Sequence, residues 1–189
     1  MSRSYRISVR ECINRVIKAE DSITTQLEIL EILPPEAMGR MLADELEKRG
    51  YKREGDQLVK EEDGVVIVVD STTGEVTVSS QASEETKSEG ELHGRAYDDV
   101  GPHAGQVREN LRQELKRKLE KSVEEKTGKL QGKVTDQLEG KLPDLRKELD
   151  QVVNKVTAEA LKEKARSMGQ IKQISEDEQT GAMTIVVEV

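Results

Sequence analysis

The chain has 189 residues, 34% of them hydrophobic and 36% charged, with no Trp or Phe and only three Tyr. That balance is poorer in apolar residues than an ordinary globular domain, and it excludes an aromatic core and a single compact 189-residue globule. The net charge of −8 is unevenly placed: residues 1–18 hold five basic groups and one acidic, residues 101–169 hold 16 basic and 12 acidic, and the remainder carries −16. An acidic head beside a mildly basic segment suits antiparallel self-association or an acidic partner, although a solvated surface is the favoured reading.

Residues 5–13 alternate, with Tyr5, Ile7, Val9 and Ile13 on one side and Arg6, Ser8, Arg10 and Cys12 on the other, which predicts a half-buried strand. A second β-prone run covers 23–33, with a change of parity that suggests a bulge or burial on both faces. Pro34-Pro35 closes it and opens a helix over 35–49, whose Met38, Met41, Leu42 and Leu46 share a face and whose stop is Gly50. Three short β-runs follow, Tyr51 to Val59, Val65 to Asp70 and Glu75 to Ser79, turned at Asp63-Gly64 and Ser71-Thr72-Thr73-Gly74. The head at 1–80 thus reads β-β-α-β-β-β, one helix on an antiparallel sheet. Residues 81–100 are polar and read as a linker or a polar strand extension. The end, 170–189, reads as a hairpin returning to the head sheet or pairing with another chain.

Between them, 101–169 is a long helical arm. Val107, Leu111, Leu115, Leu119, Val123, Leu130, Val134, Leu138 and Leu142 form a stripe one residue wide. Its spacing of four exceeds the helical 3.6, so the stripe drifts by roughly 40° at each step. After Pro143 the spacing tightens at Leu145, Leu149, Val152, Val153, Val156 and Leu161, close to a coiled-coil or bundle face. Gly140 and Pro143 suggest a bend there, either a helical hairpin, the favoured reading, or one kinked helix. The fold class is α+β. A thin stripe asks for a partner surface, so Leu145, Leu149, Val152, Val156 and Leu161 are the candidate partner-binding residues, for another protein or a second copy. An internal helical hairpin is the alternative.

One segment has a chemical look. His93 to His103 holds both histidines with Asp98 and Asp99 between them, and imidazole with carboxylate can ligate metal or move protons. The spacing fits no established ligand pattern, and the aspartates also suit the start of a helix. Cys12 is the one cysteine and has no companion set, so no intramolecular disulfide is expected. No phosphate loop, paired-cysteine or zinc-protease motif occurs, so no catalytic residue, cofactor or metal is assigned. Stacking aromatics and a concentrated basic face are lacking, which argues against nucleic acid. Neither a signal-like apolar start nor a membrane-length apolar run occurs, so a cytoplasmic protein is expected.

Several strings stand out together: MSRSYRISVREC, VIKAEDSITTQLEILEILP, PPEAMGRMLADELEKRGY, HGRAYDDVGPHA, ELDQVVNKVTAEALKEKA and the closing MTIVVEV. Over nearly the whole chain they resemble bacterial proteins of the FtsH ternary system. The resemblance implies an accessory, non-catalytic scaffold or adaptor in an assembly of MoxR-type AAA+ ATPases, von Willebrand A-domain proteins and FtsH-like components. It carries over no functional residue. Two other readings are a metal-binding enzyme or sensor using His93, Asp98, Asp99 and His103, and a stress-protective helical protein.

Overall fold

The computed structural model describes residues 4–97, 101–176 and 183–188. The protein is α+β, in the order β1 (Ser4–Gln26), α1 (Pro35–Lys48), β2 (Lys52–Glu54), β3 (Gln57–Glu62), β4 (Val65–Asp70), β5 (Glu75–Tyr97), α2 (Ala104–Met168), β6 (Gln170–Glu176) and β7 (Met183–Glu188). Five strands form an antiparallel sheet in the order β1-β5-β4-β3-β2, and β6 and β7 form a separate pair. The chain makes two compact units, Met1–Asp21 with Gln81–Asp136 and Ser22–Ser80 with Gln137–Val189, and β1, β5 and α2 contribute to both.

The second unit holds the larger core. Short turns zip β3, β4 and β5 together: Asp63 and Gly64 both take positive φ, 52° and 76°, as a two-residue hairpin that twists with its strands requires. At the next turn the Asp70 carboxylate accepts the amides of Thr73 and Thr72, which holds its pKa below the usual range. Val65, Ile67 and Val69 of β4 and Val76 and Val78 of β5 then point to one face. Met38, Leu42, Ala43 and Leu46 of α1 cover that face, with Leu138, Leu145, Leu149, Val152, Val156 and Ala160 of α2. Gly39 brings α1 close to the β4–β5 turn, since a Cβ there would sit 2.8 Å from the carbonyl oxygen of Ser71.

The first unit is built on another plan. Residues 4–21 of β1 and 81–97 of β5 make a two-stranded ribbon, and α2 packs on one face of it. From β1 come Ile7, Val9, Ile17 and Ala19, all buried. From β5 come mostly small residues on one parity: Thr86, Ser88 and Ala96 are buried, Gly90 and Gly94 lie among them, and Leu92 is the one large side chain of the row, partly buried on the cluster. The glycines admit the helix, because a Cβ at Gly90 would lie 2.9 Å from Leu115 Cδ1 and one at Gly94 2.8 Å from Leu111 Cδ1. The drifting stripe suits this cover. A stripe of period above 3.6 turns right-handedly about its helix, and a two-stranded ribbon twists strongly in the same sense. Polar contacts fasten the margins, among them Arg112 to Glu11 at 3.0 Å, Thr135 to Asp21 at 2.7 Å and Lys126 to the Lys87 carbonyl at 2.9 Å.

Four expectations are corrected. Residues 81–97 are strand, not linker, because their small side chains face α2 at period two. The first two β-runs are one strand, β1, which ends at Gln26. There Leu27 donates to the Gly74 carbonyl, and Leu27, Ile29, Ile32 and Leu33 pack on the core of the second unit, so the observed order is β-α-β-β-β-β. The arm is one helix from Ala104 to Met168 that passes through an exposed Pro143 with no turn at 140–143. The terminal hairpin pairs with itself and adds no strand to the five-stranded sheet.

Candidate interaction site

The stretch expected to bind partners lies mostly inside the second unit. Leu145, Leu149, Val152 and Val156 belong to its core, Val152 wholly buried, and Leu145 and Leu149 also line an open groove. Sheet and α1 together cover the face that resembled a coiled-coil seam. Leu161 alone of the five is exposed, at 39%. Charges lock the same surfaces. Burial pushes the pKa of Glu45 on α1 up, but Lys155 at 3.0 Å, Arg49 at 3.4 Å and Lys48 at 3.5 Å outweigh it and leave the value lowered. Lys60 of β3 pairs with Glu148 at 3.2 Å and stands 5.2 Å above the Tyr51 ring. Burial, with Glu148 and Glu62 nearby, pushes the Tyr51 hydroxyl up, and it has no hydrogen-bond partner among the described residues.

The histidine segment is divided between two elements. His93 is on the solvent face of β5, its Nε2 3.9 Å from Glu91 Oε1. His103 precedes α2, and its carbonyl accepts the amides of Gln106 at 2.8 Å and Val107 at 3.1 Å, as the residue flanking a helix start should. Asp98 and Asp99 lie outside the described residues. Among the described residues no three His, Cys, Asp or Glu side chains gather as a metal set. Cys12 is exposed, with its thiol 3.5 Å from the Asn14 side-chain oxygen.

Two surfaces are shaped for contact. In the second unit an open groove of about 800 Å³ runs between α2 and the strands β1 and β5. Ile23, Leu27, Val76, Leu142, Leu149 and Val153 supply its apolar lining, and Arg146 and Asp150 are among its polar groups. In the first unit the solvent face of the ribbon is charged. Arg10 of β1 meets Glu91 of β5 at 2.8 Å, and Lys87 meets Glu89 at 2.9 Å. Further toward the end of the ribbon, Ser4, Arg6, His93, Gly94 and Arg95 line a depression of about 550 Å³. Arg6 and Arg95 are exposed and have no ion-pair partner among the described residues, and Tyr97 beside them is 46% exposed. The sequence held a signal for this cluster. Arg6 is on the polar parity of its strand, and reading 81–97 as a paired strand puts His93, Arg95 and Tyr97 on the matching face.

Among the described residues no helix is long and apolar enough to cross a membrane. No curated protein and no solved structure matches the chain. A family model does, over residues 1–189, and its description is FtsH ternary system domain X5. The strings quoted above as a resemblance fall within that match, and the chain belongs to the FtsH ternary system domain X5 family.

Proposed function

We propose that the protein is a non-catalytic scaffold or adaptor of a bacterial FtsH ternary system, working in the cytoplasm through protein contacts. Its partner in this reading is an AAA+ ATPase of the MoxR or FtsH-like kind, or a von Willebrand A-domain protein. The observation that carries the reading is the edge position of β1. This strand of 23 residues stands last in the sheet order, with a row of backbone donors and acceptors along one side. An extended segment of another protein can add to such an edge, or a charged surface can dock beside it. The apolar stripe of α2 serves the two cores, so the contact surface moves from the arm to the ribbon. The clustered charges of the second unit hold α1 and α2 on the sheet, which fits a structural part better than a reacting one.

Co-expression with the MoxR-type ATPase and the von Willebrand A-domain protein of the same cell tests this. The expected result is co-elution in size-exclusion chromatography with light scattering, together with a changed ATPase rate. A chain that elutes alone at every salt concentration and leaves that rate unaltered is not an adaptor of the system.

A further inference from the structure

We propose that the end of the β1–β5 ribbon binds an acidic segment of a protein partner, with Arg6 and Arg95 holding its carboxylates. This rests on the protein-contact reading and names the chemistry of the partner. Beyond Glu91, which accepts from Ser8 at 2.9 Å and from Arg10 at 2.8 Å, Arg6 of β1 and Arg95 of β5 line the same depression. Like charges across two strands cost stability unless a counter-charge meets them. Nearby the ribbon supplies one: Arg10 has Glu91, and Lys87 has Glu89. The lining of the depression includes Arg6, His93 and Arg95 and, among the described residues, no carboxylate.

The side chains suit a carboxylate. Guanidinium groups take a carboxylate through two parallel hydrogen bonds, and Ser4 adds a hydroxyl at the rim. An exposed tyrosine and two arginines together are the residue types enriched at the centre of protein interfaces. A short acidic segment fits better than nucleic acid. Two arginines and one histidine are few for a phosphate track, and a net charge of −8 repels a long polyanion.

A fluorescent peptide of alternating Asp and Glu, titrated into the full chain and followed by anisotropy, tests the assignment. Binding that weakens with salt is expected, with a loss of about tenfold or more in R6E/R95E. R6K/R95K falls between, because charge remains and the fork is lost. R15E, an exposed change on the same strand, leaves binding within about twofold of the parent after allowance for net charge. No binding by the parent chain, or equal binding by R6E/R95E, overturns the assignment. Tighter binding of a single-stranded oligonucleotide through the same two arginines overturns it in favour of nucleic acid. D98N/D99N adds a further arm: binding that appears only when those charges are removed shows that the chain's own aspartates occupy the arginines, and it also overturns the proposal. Failure in any of these leaves the co-elution experiment, and the adaptor reading, standing on its own result.

Discussion

The two units answer the same physical problem, covering one face of a sheet with α2, by opposite means. In the second, a wide sheet and two helices enclose large aliphatic side chains from both sides, with Leu42, Leu46, Leu58, Val69, Val76 and Val152 wholly buried. In the first, the helix brings most of the bulk and β5 recedes, offering Thr86, Ser88, Gly90, Gly94 and Ala96 around a single larger residue, Leu92. A narrow ribbon cannot enclose a deep core, so close approach of backbone and helix replaces thickness. A helix whose stripe is one residue wide can therefore be stable on a partner that is locally almost flat.

The sharpest way to break this comparison is to hollow each core. Leu42→Ala should cost about 3–5 kcal/mol, because α1 and the sheet relax only partly around the hole. Leu115→Ala should cost nearer 2 kcal/mol, since the ribbon can settle on a smaller residue. Hydrogen exchange read separately over 4–19 and 57–78 checks both, and equal costs would mean the two cores are alike. Next comes Pro143→Ala. The proline is exposed in the interior of α2, where it removes an amide donor, so the change should raise stability by about 1–3 kcal/mol in urea unfolding.

A pair of glycine substitutions sharpens the distinction further. Gly39→Ala sets a methyl against the Ser71 carbonyl, a backbone atom that cannot step aside, and should cost about 1–2 kcal/mol although alanine is the better helix former. Gly94→Ala meets the end of a leucine side chain, which can rotate away, and should cost about 0.5 kcal/mol or less. Glu45→Gln is comparably small, at about 0.5 kcal/mol or below, because Lys48 and Lys155 are well solvated. It has a pH signature. The folded carboxyl titrates below its ordinary value of 4.5, so its contribution is present above that pH and is lost as pH falls through the depressed folded value. The parent should therefore lose stability on acidification more steeply than Glu45→Gln in thermal melts between neutral and acid pH.

Much of the second unit was legible in the sequence because its signals are large and local. Pro34-Pro35, the Met38–Leu46 face, Gly50 and the Asp63-Gly64 turn all act within a few residues, and each is where the pattern places it. The first unit hid because its decisive signal is an absence of bulk. Along 86–96 one parity is small apart from Leu92 and the other is charged or His, which a hydrophobic scale reads as polar linker. The stripe of α2 was read correctly in its residues and wrongly in its cover. Thinness suggested a missing partner, whereas the partner lies earlier in the same chain, in β1, 101 residues back at the Arg112–Glu11 contact, and in β5, 39 residues back at Lys126–Lys87. The contact cluster is half visible: the His93–His103 segment stands out in the sequence and contains Arg95 and Tyr97, whereas nothing local to Arg6 joins it to them.

The way the chain shares itself between the units has a consequence for the order in which they can form. Ser22–Ser80 is closed by hairpins of near neighbours, and such contacts cost little loop entropy. The first unit has to join Met1–Asp21 to a segment that begins at Gln81, and then wait for α2. During synthesis the opening strand, with Ile7, Val9 and Ile17 uncovered, is therefore held as an unpaired apolar segment until some eighty further residues have left the ribosome. Its arginines and lysine, spaced along both faces, act over that interval as gatekeepers that keep one nascent chain from pairing with the next.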